Sequence, residues 1–202
     1  MDQLAKEFPP SMLSIIIPTR ESEGSLVRTL AVLVAGAAAG AVREVIVADA
    51  ESKDGTAQVA DIAGCRIVVS PVPLAARLRE AATLARAPWL MFLRPGTVLD
   101  ATWVDETALF IDDERQPIRP RAAVFRPGAP ASSSRPLLIE ALSLMRAALG
   151  ARPRPEQGLV IAKEHYERIG GHRDDAPDPE TDLMRRLGRR IVMLRSTAMR
   201  RD

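Results

Sequence analysis

Short apolar runs alternate with amphipathic stretches along the first ninety residues of the chain. The runs at 13–17, 44–48, 66–69 and 89–93 are largely apolar and end in polar, Pro or Gly positions, which predicts buried strands. Between them, apolar residues recur at helical spacing, as at Leu26, Leu30 and Leu33, which predicts a helix after each of the first three strands. This order predicts an α/β fold with a doubly wound, mostly parallel sheet, helices on both faces and a ligand over the strand ends.

The pattern is less regular after residue 100. Helices are predicted at 103–112, 137–149, 163–169 and 181–187, strands at 122–125, 158–162 and 191–194, and a Pro- and Ser-rich surface loop at 127–136. Residues 1–12 show no periodic pattern and are predicted to be a flexible tail. Because no linker interrupts 13–202, we expect a single domain there.

Composition excludes several classes of protein. The 202 residues are 47% hydrophobic and 27% charged, as in soluble globular proteins, and no basic and aromatic residues interleave as in single-strand nucleic-acid binders. The single cysteine excludes an intrachain disulfide and a cysteine-based zinc cluster. His165 has no metal-ligand partner at helical spacing and is expected on a helix surface. The polar N-terminus and the short apolar stretch 30–42 favour a cytoplasmic protein of a bacterium-like cell.

The most informative stretches lie where the first two predicted strands run into their helices. Asp49 closes an apolar run, and Ser52 and Asp54 follow with side-chain oxygens that can cap a helix. A similar junction occurs at 18–21, after the first strand. Because open α/β sheets bind ligands at the carboxyl ends of their strands, Asp49 is expected at the exposed edge of the sheet. The simpler alternative is that Asp49 only caps a turn.

Together these stretches resemble the start of the family 2 glycosyltransferases, whose GT-A fold is Rossmann-like. Members carry a Pro-Thr…Asn-Glu stretch and, further on, a Val-x-Asp-Gly-Gly-Ser-x-Asp-Gly-Thr stretch. Here Arg20 stands in place of Asn, and Ala50 and Glu51 in place of the glycines. The resemblance implies a nucleotide-binding half at 13–99 and an acceptor or sugar half at 100–202. The matching residues, of which the first six are implied to bind the nucleotide, are Pro18, Thr19, Glu21, Asp49, Ser52, Asp54, Gly55 and Thr56.

Later segments resemble the part of the family that holds the sugar and the acceptor. Gln157 and Gly158 precede a short strand and helix, and they are implied acceptor or sugar residues. The stretch 179–187 resembles the family's Glu-Asp-x-Asp-Leu-x-x-Arg-Leu helix start, in which the second acidic residue is the catalytic base. Its counterpart here is Glu180. The alternative is that Glu180 only complements the helix dipole.

One family motif is missing from the chain. Most members carry Asp-x-Asp after the fourth strand, and this motif binds Mg²⁺ or Mn²⁺ against the donor diphosphate. Here Arg94 and Gly96 occupy those positions, and Asp100 lies too far on to replace them. The resemblance implies a divalent metal, but the sequence names no metal ligand. Because guanidinium pairs well with phosphate, Arg94 is a candidate phosphate ligand; the alternative is a solvated loop arginine.

These observations favour a hexosyltransferase-like enzyme, inverting by analogy, that moves a sugar from a nucleotide-diphosphate donor to an unknown acceptor hydroxyl. The alternative is a non-catalytic protein that binds a nucleotide sugar or a protein partner and has lost the metal site. A sugar nucleotidyltransferase is a third hypothesis, but the stretch 18–24 lacks the glycine-rich loop and basic residue which that chemistry needs.

The C-terminal region is dense in arginine. One hypothesis is a solvated helix face and tail. The other is peripheral contact with anionic lipid at the inner membrane surface, where a lipid-linked acceptor would be found. The residues concerned are Arg185, Arg186, Arg189, Arg190, Arg195, Arg200 and Arg201.

Overall fold

The computed structural model describes residues 12–115, 119–128 and 153–200. The predicted N-terminal tail, except residue 12, the predicted helix at 137–149 and most of the predicted loop at 127–136 lie outside the described residues. Among the described residues, no helix is both long enough and apolar enough to cross a bilayer.

The first half of the chain alternates strands and helices as predicted. The helix α1 (Glu23–Ala38) runs through Gly36 and ends before Gly40. Gly36 is needed for packing, because a Cβ there would lie 2.4 Å from a ring carbon of Trp103. The elements are β1 (Leu13–Thr19), α1 (Glu23–Ala38), β2 (Val42–Asp49), α2 (Thr56–Ile62), β3 (Arg66–Val69), α3 (Leu74–Leu84) and β4 (Trp89–Phe92).

The second half contains two features that the sequence pattern did not predict. A three-residue strand, β5 (Thr97–Leu99), follows Gly96, and the last strand, β8 (Ile191–Arg200), is longer than predicted. The two strands pair antiparallel, and this pairing stabilises the polar end of β8. The other elements are α4 (Trp103–Asp113), β6 (Ala122–Pro127), β7 (Leu159–Ala162), α5 (Lys163–Arg168) and α6 (Pro179–Leu187), with short 3₁₀ turns at Pro155–Gln157 and Gly188–Arg190.

The eight described strands form one sheet in the order β3-β2-β1-β4-β7-β6-β8-β5. The pairs β2–β3, β1–β2, β1–β4 and β6–β8 are parallel, whereas β4–β7, β6–β7 and β5–β8 are antiparallel. This confirms the predicted α/β fold with a mostly parallel sheet. Because β7 runs against its neighbours, the turn before β7 lies at the same edge as the carboxyl ends of β1, β2, β4 and β6.

The core forms two layers, one on each face of the sheet. His165 belongs to the buried part of the molecule, with 2% of its surface exposed, so its expected surface position is wrong. Burial lowers the pKa of His165, and Arg190 and Arg168 lower it further, whereas Glu114 and the Arg121 main chain oppose this. A six-residue helix such as α5 offers too short a pattern to show which of its faces is covered.

Candidate functional site

Asp49 lies at the carboxyl end of β2, but it is buried, with 1% of its surface exposed. Its Oδ1 accepts hydrogen bonds from the hydroxyls of Thr19 (2.7 Å) and Ser52 (2.6 Å), and its Oδ2 accepts one from the Ser52 main-chain N–H (2.7 Å). The expectation of an exposed Asp49 is therefore wrong, because these two neighbouring side chains close over the carboxylate.

The other predicted nucleotide residues also join the loop after β1 to the loop after β2. The Glu21 N–H donates to Ser52 Oγ (2.9 Å), and the Lys53 N–H donates to Glu21 Oε1 (2.7 Å). The Glu23 N–H donates to Asp54 Oδ2 (3.0 Å). We call this network between residues 19–23 and 49–56 the loop zipper. The structure thus brings the predicted residues together, with their side-chain oxygens bonded to the facing loop.

Strained backbone accompanies the loop zipper. Glu21 has φ = 48° and Glu51 has φ = 56°, in the left-handed region that favours glycine. Such conformations persist only where the surrounding structure holds them, and they concentrate at functional sites. The hydrogen bonds on both sides of the Glu21 peptide provide that restraint.

Arg77 is a site residue that the sequence analysis missed. It lies on α3 with 7% of its surface exposed, and its Nε and Nη1 have no hydrogen-bond partner among the described residues. Burial lowers the pKa of Arg77, attraction to Asp49 raises it, and repulsion from Arg20 lowers it. A signal was present in the sequence, because Arg77 stands three residues after Leu74 and four before Ala81, which lie on the apolar face of α3.

Arg94, at the end of β4, forms a second and different cluster. Its Nε (2.9 Å) and Nη2 (2.6 Å) both donate to Glu180 Oε2, and its Nη1 donates to Glu156 Oε1 (2.6 Å). We call these three residues the Arg94 cluster. Burial alone would lower the pKa of Arg94, but the two carboxylates raise it overall. Arg94 is therefore not a solvated loop arginine, and the structure corrects that alternative.

Glu180 lies in the first turn of α6, whose N-cap is Asp178. Asp178 accepts hydrogen bonds from the Thr181 N–H (3.1 Å) and hydroxyl (2.7 Å) and so fixes where the helix begins. Burial raises the pKa of Glu180 by more than its hydrogen bond to Arg94 lowers it. Its Oε1 accepts no hydrogen bond from any residue the structure describes.

The residues near Arg94 do not fit a divalent metal. Gly96 supplies no ligand and has φ = 87°. Asp100 cannot replace the missing carboxylates, because it accepts four hydrogen bonds from the main-chain and side-chain groups of Thr102 and Thr197. Within the described ranges, no group of three or more His, Cys, Asp or Glu residues could hold a metal ion.

Gln157 and Gly158 form the turn that leads into β7. Gln157 Oε1 accepts a hydrogen bond from the Arg154 N–H (2.8 Å), and Gln157 Nε2 donates to the Phe125 carbonyl (2.7 Å). Gly158 has φ = 69°, and a Cβ there would lie 2.7 Å from a Leu93 methyl carbon. Both residues shape the edge of the sheet beside the Arg94 cluster.

The C-terminal arginines do not form one uniform cationic face. Arg185 and Arg186 both bind Asp182, at 2.7 Å each, and Arg186 also donates to the carbonyls of Ile169 (2.8 Å) and Gly171 (2.5 Å). Arg185 and Arg186 are thus paired inside α6 and its neighbouring loop, and Arg201 lies outside the described residues.

Comparison with known proteins shows which family the sequence matches. Residues 14–118, more than half of the chain, match the family model described as glycosyl transferase family 2. A search of curated proteins found no match.

Solved structures share the fold at low sequence identity. TarS from S. aureus, residues 1–349, superposes with a TM-score of 0.68 at 15% identity, covering 93% of this chain and 60% of that one. Glucosyl-3-phosphoglycerate synthase from Mycobacterium tuberculosis gives 0.65 at 17%, covering 95% and 72%. The mannosyltransferase PcManGT from Pyrobaculum calidifontis gives 0.69 at 15%, covering 94% and 56%. The chain thus spans only part of each of these proteins, and the likeness shows a GT-A-like fold.

Proposed function

The chain belongs to glycosyl transferase family 2, and from this premise we propose that it transfers a sugar from a nucleotide-diphosphate donor to an acceptor hydroxyl, with inversion at the anomeric carbon. The structural neighbours were solved with such ligands: TarS with UDP-GlcNAc, the synthase with Mn²⁺ and UDP, and PcManGT with GDP-Man and Mn²⁺. Sugar transfer requires that the nucleotide is held, that the leaving diphosphate is stabilised and that the acceptor hydroxyl loses a proton.

The Arg94 cluster carries this proposal. A guanidinium has five N–H donors, and Arg94 uses three of them on Glu156 and Glu180. The remaining two donors suit a phosphate oxygen pair. In the family, a metal ion held by protein carboxylates stabilises the diphosphate; in this proposal, the two Arg94 donors that have no partner among the described residues take that role. Donor binding by this chain then needs no divalent metal.

The nucleoside lies, in this proposal, between the loop zipper and α3. Arg77 has buried donors beside Asp49 that lack a partner, and leaving buried donors unpaired is costly. Acceptor oxygens on the nucleoside would satisfy those donors. Thr19, Glu21 and Asp49 fix the shape of the wall, together with Pro18, Ser52 and Asp54.

Glu180 is the proposed base. Its Oε2 is bound to Arg94, and Oε1 is available to take the proton of the acceptor hydroxyl. A raised pKa moves a carboxylate toward the operating pH and makes it a better base. As the proton moves to Glu180, the acceptor oxygen bonds to the anomeric carbon, and the bond from that carbon to the diphosphate breaks. The electron pair leaves with the diphosphate, beside Arg94. In this proposal, Gln157 and Gly158 form the wall of the site on the side of the sugar.

A peripheral contact with anionic lipid is a further part of the proposal. Because Arg185 and Arg186 are paired internally, the contact would rest on Arg189, Arg190 and Arg195, which are exposed. Such a contact would bring a lipid-linked acceptor to the site.

The test measures, by isothermal titration, the binding of UDP-, GDP- and dTDP-sugars in the presence of EDTA or of Mn²⁺. We expect binding to the wild type to be nearly unaffected by EDTA. Arg94→Ala should weaken binding of the nucleoside diphosphate by about tenfold or more, because a charge-assisted hydrogen bond contributes ~1.5–3 kcal/mol. Binding of the bare nucleoside should be unchanged. The matched control is Arg28→Ala, an exposed arginine on α1.

Two results would contradict the proposal. If EDTA abolishes donor binding and Mn²⁺ restores it, the cation is a metal and not Arg94. If no sugar nucleotide binds to a folded wild type, the non-catalytic, partner-binding alternative is the better one. A thermal unfolding scan of each variant separates a lost contact from a lost fold.

A further inference from the structure

Two arginines near the Arg94 cluster remain unpaired among the described residues. Arg126 lies near the end of β6, and Arg154 directly precedes the 3₁₀ turn before β7. Both are exposed, and neither forms an ion pair with a residue that the structure describes. They lie at the edge of the sheet where the candidate site is found.

The fold holds these two arginines close to each other. The buried amide of Gln157 accepts from the Arg154 N–H and donates to the carbonyl of Phe125, the residue before Arg126. One glutamine side chain therefore spans the distance between the two main-chain segments. Because the amide is buried and bonded at both ends, the segments are positioned rigidly.

Arg126 also lies on the same face of the sheet as Glu180. Along β6, Val124 packs in the layer that contains the residues of α6, and Phe125 packs in the opposite layer. The pairing of β6 with β8 is irregular between Val124 and Arg126, but along β6 itself the alternation of side chains places the Arg126 position on the α6 side. Only β7 separates β6 from β4, so Arg126 is about 10 Å, two strand spacings, from Arg94.

Each carboxylate near the two arginines in the described part of the chain already has at least one hydrogen-bonded partner. Glu156 and Glu180 bind Arg94, and Asp178 binds Thr181. Two unpaired guanidinium groups beside a candidate base form a site for an oxyanion, because guanidinium pairs strongly with phosphate.

We infer that the acceptor carries a phosphate group and that Arg126 and Arg154 bind it, which leaves the acceptor hydroxyl within reach of Glu180. This inference rests on the proposed function and specifies its acceptor class. The phosphate can belong to a soluble ester or to a lipid headgroup, since both present the same oxygens.

The experiment titrates the full chain with glycerol 3-phosphate in the absence of any nucleotide. We expect wild-type binding that weakens with rising salt, and at least about a tenfold loss in the double variant Arg126→Gln/Arg154→Gln. The matched control is Arg28→Gln/Arg43→Gln, two exposed arginines away from the site, which should bind as the wild type does. Arg94→Gln locates the probe, because Arg94 is the other cation at this edge: the inference expects a smaller loss of glycerol 3-phosphate binding in Arg94→Gln than in the double variant.

Sedimentation with vesicles separates the two sources of phosphate. Phosphatidylcholine vesicles with and without phosphatidic acid are compared for the wild type and the double variant. Loss of phosphatidic acid binding in the double variant supports a lipid phosphate, whereas binding of glycerol 3-phosphate alone supports a soluble ester.

The inference is overturned if the double variant binds both probes as the wild type does, or if neither probe binds the wild type. It is also overturned if Arg94→Gln alone removes the binding. Sugar-nucleotide affinity is measured on the same proteins and should be equal in the double variant and the wild type. The absence of sugar-nucleotide binding would contradict the proposed function, but it would not change the result for the two phosphate probes.

Discussion

The loop zipper and the Arg94 cluster lie at the same edge of one sheet, yet they use charge in opposite ways. In the loop zipper, buried Asp49 has both carboxylate oxygens bonded to neighbouring hydroxyl and N–H groups. In the Arg94 cluster, a cation is held by two carboxylates, and two of its five N–H donors have no partner among the described residues. The hydrogen bonds of the zipper therefore position main chain, whereas we propose that the cluster presents the remaining Arg94 donors to the donor diphosphate.

The largest expected effect comes from Glu180→Gln. The amide still accepts from Arg94 but takes up no proton, so turnover should fall by ~10²–10⁴ with donor affinity kept. The matched control is Glu156→Gln, which removes the other carboxylate bound to Arg94 and should cost turnover far less. Initial rates and donor titration measure both. Equal losses of donor affinity and turnover in Glu180→Gln would make Glu180 a structural residue.

The next effect tests the zipper as scaffold. Asp49→Ala leaves the buried hydroxyl of Thr19 and the Ser52 N–H without their acceptor, so the free energy of unfolding should fall by about 3 kcal/mol. Urea unfolding measures this, with the exposed Asp61→Ala of α2 as control. If Asp49→Ala has the same free energy of unfolding as the wild type, the loop zipper does not stabilise the fold.

A third prediction concerns the loop that joins α5 to α6. His172 is buried, its Nδ1 lies 2.8 Å from the Tyr166 hydroxyl, and burial, with Arg186 and Arg79, lowers its pKa to about 3. The folded chain thus keeps His172 neutral where the unfolded chain protonates it. The free energy of unfolding should fall by about 2 kcal/mol from about pH 7 to about pH 5 through this residue.

The variant His172→Asn tests the sign of that effect. Asparagine places an acceptor near the position of Nδ1 and does not titrate, so its unfolding free energy should depend less on pH over that range. Urea unfolding at several pH values provides the comparison. An unchanged slope would mean that other groups cause the acid sensitivity.

The smallest effect is on lipid contact. Arg189→Gln/Arg190→Gln should weaken binding to anionic vesicles at low salt by ~1 kcal/mol per arginine. Arg185→Gln serves as control, because Arg185 already pairs with Asp182. If the wild type does not co-sediment with anionic vesicles at low salt, the chain has no such contact.

The sequence predicted the fold well because its signals are local. Strand and helix periods predicted the order of the first half, and the matched motifs predicted the junctions at Asp49 and Thr19, although none of α1, α2 and α3 has a side-chain N-cap. The strand β5 was missed because a three-residue segment is too short to show a period. The strand forms through its pairing with β8.

The candidate site was only partly predictable, because burial and partners depend on tertiary contacts. The family resemblance implied roles for Arg94 and Glu180, but it did not indicate that they bind each other. Nor did it show that Arg77 turns inward with unpaired donors, since arginine is usually solvated.

The 86 residues that separate Arg94 from Glu180 along the chain set the order in which the molecule gains its charge pattern. Bringing such distant segments together costs loop entropy before the contact offsets it, so the pairing follows local structure in time. An incompletely folded chain therefore presents Arg94 as a bare cation at the end of β4. Docking of α6 brings the Glu180 carboxylate against it, one negative charge for one positive, so we expect the electrostatics of this edge to change only when folding is completed.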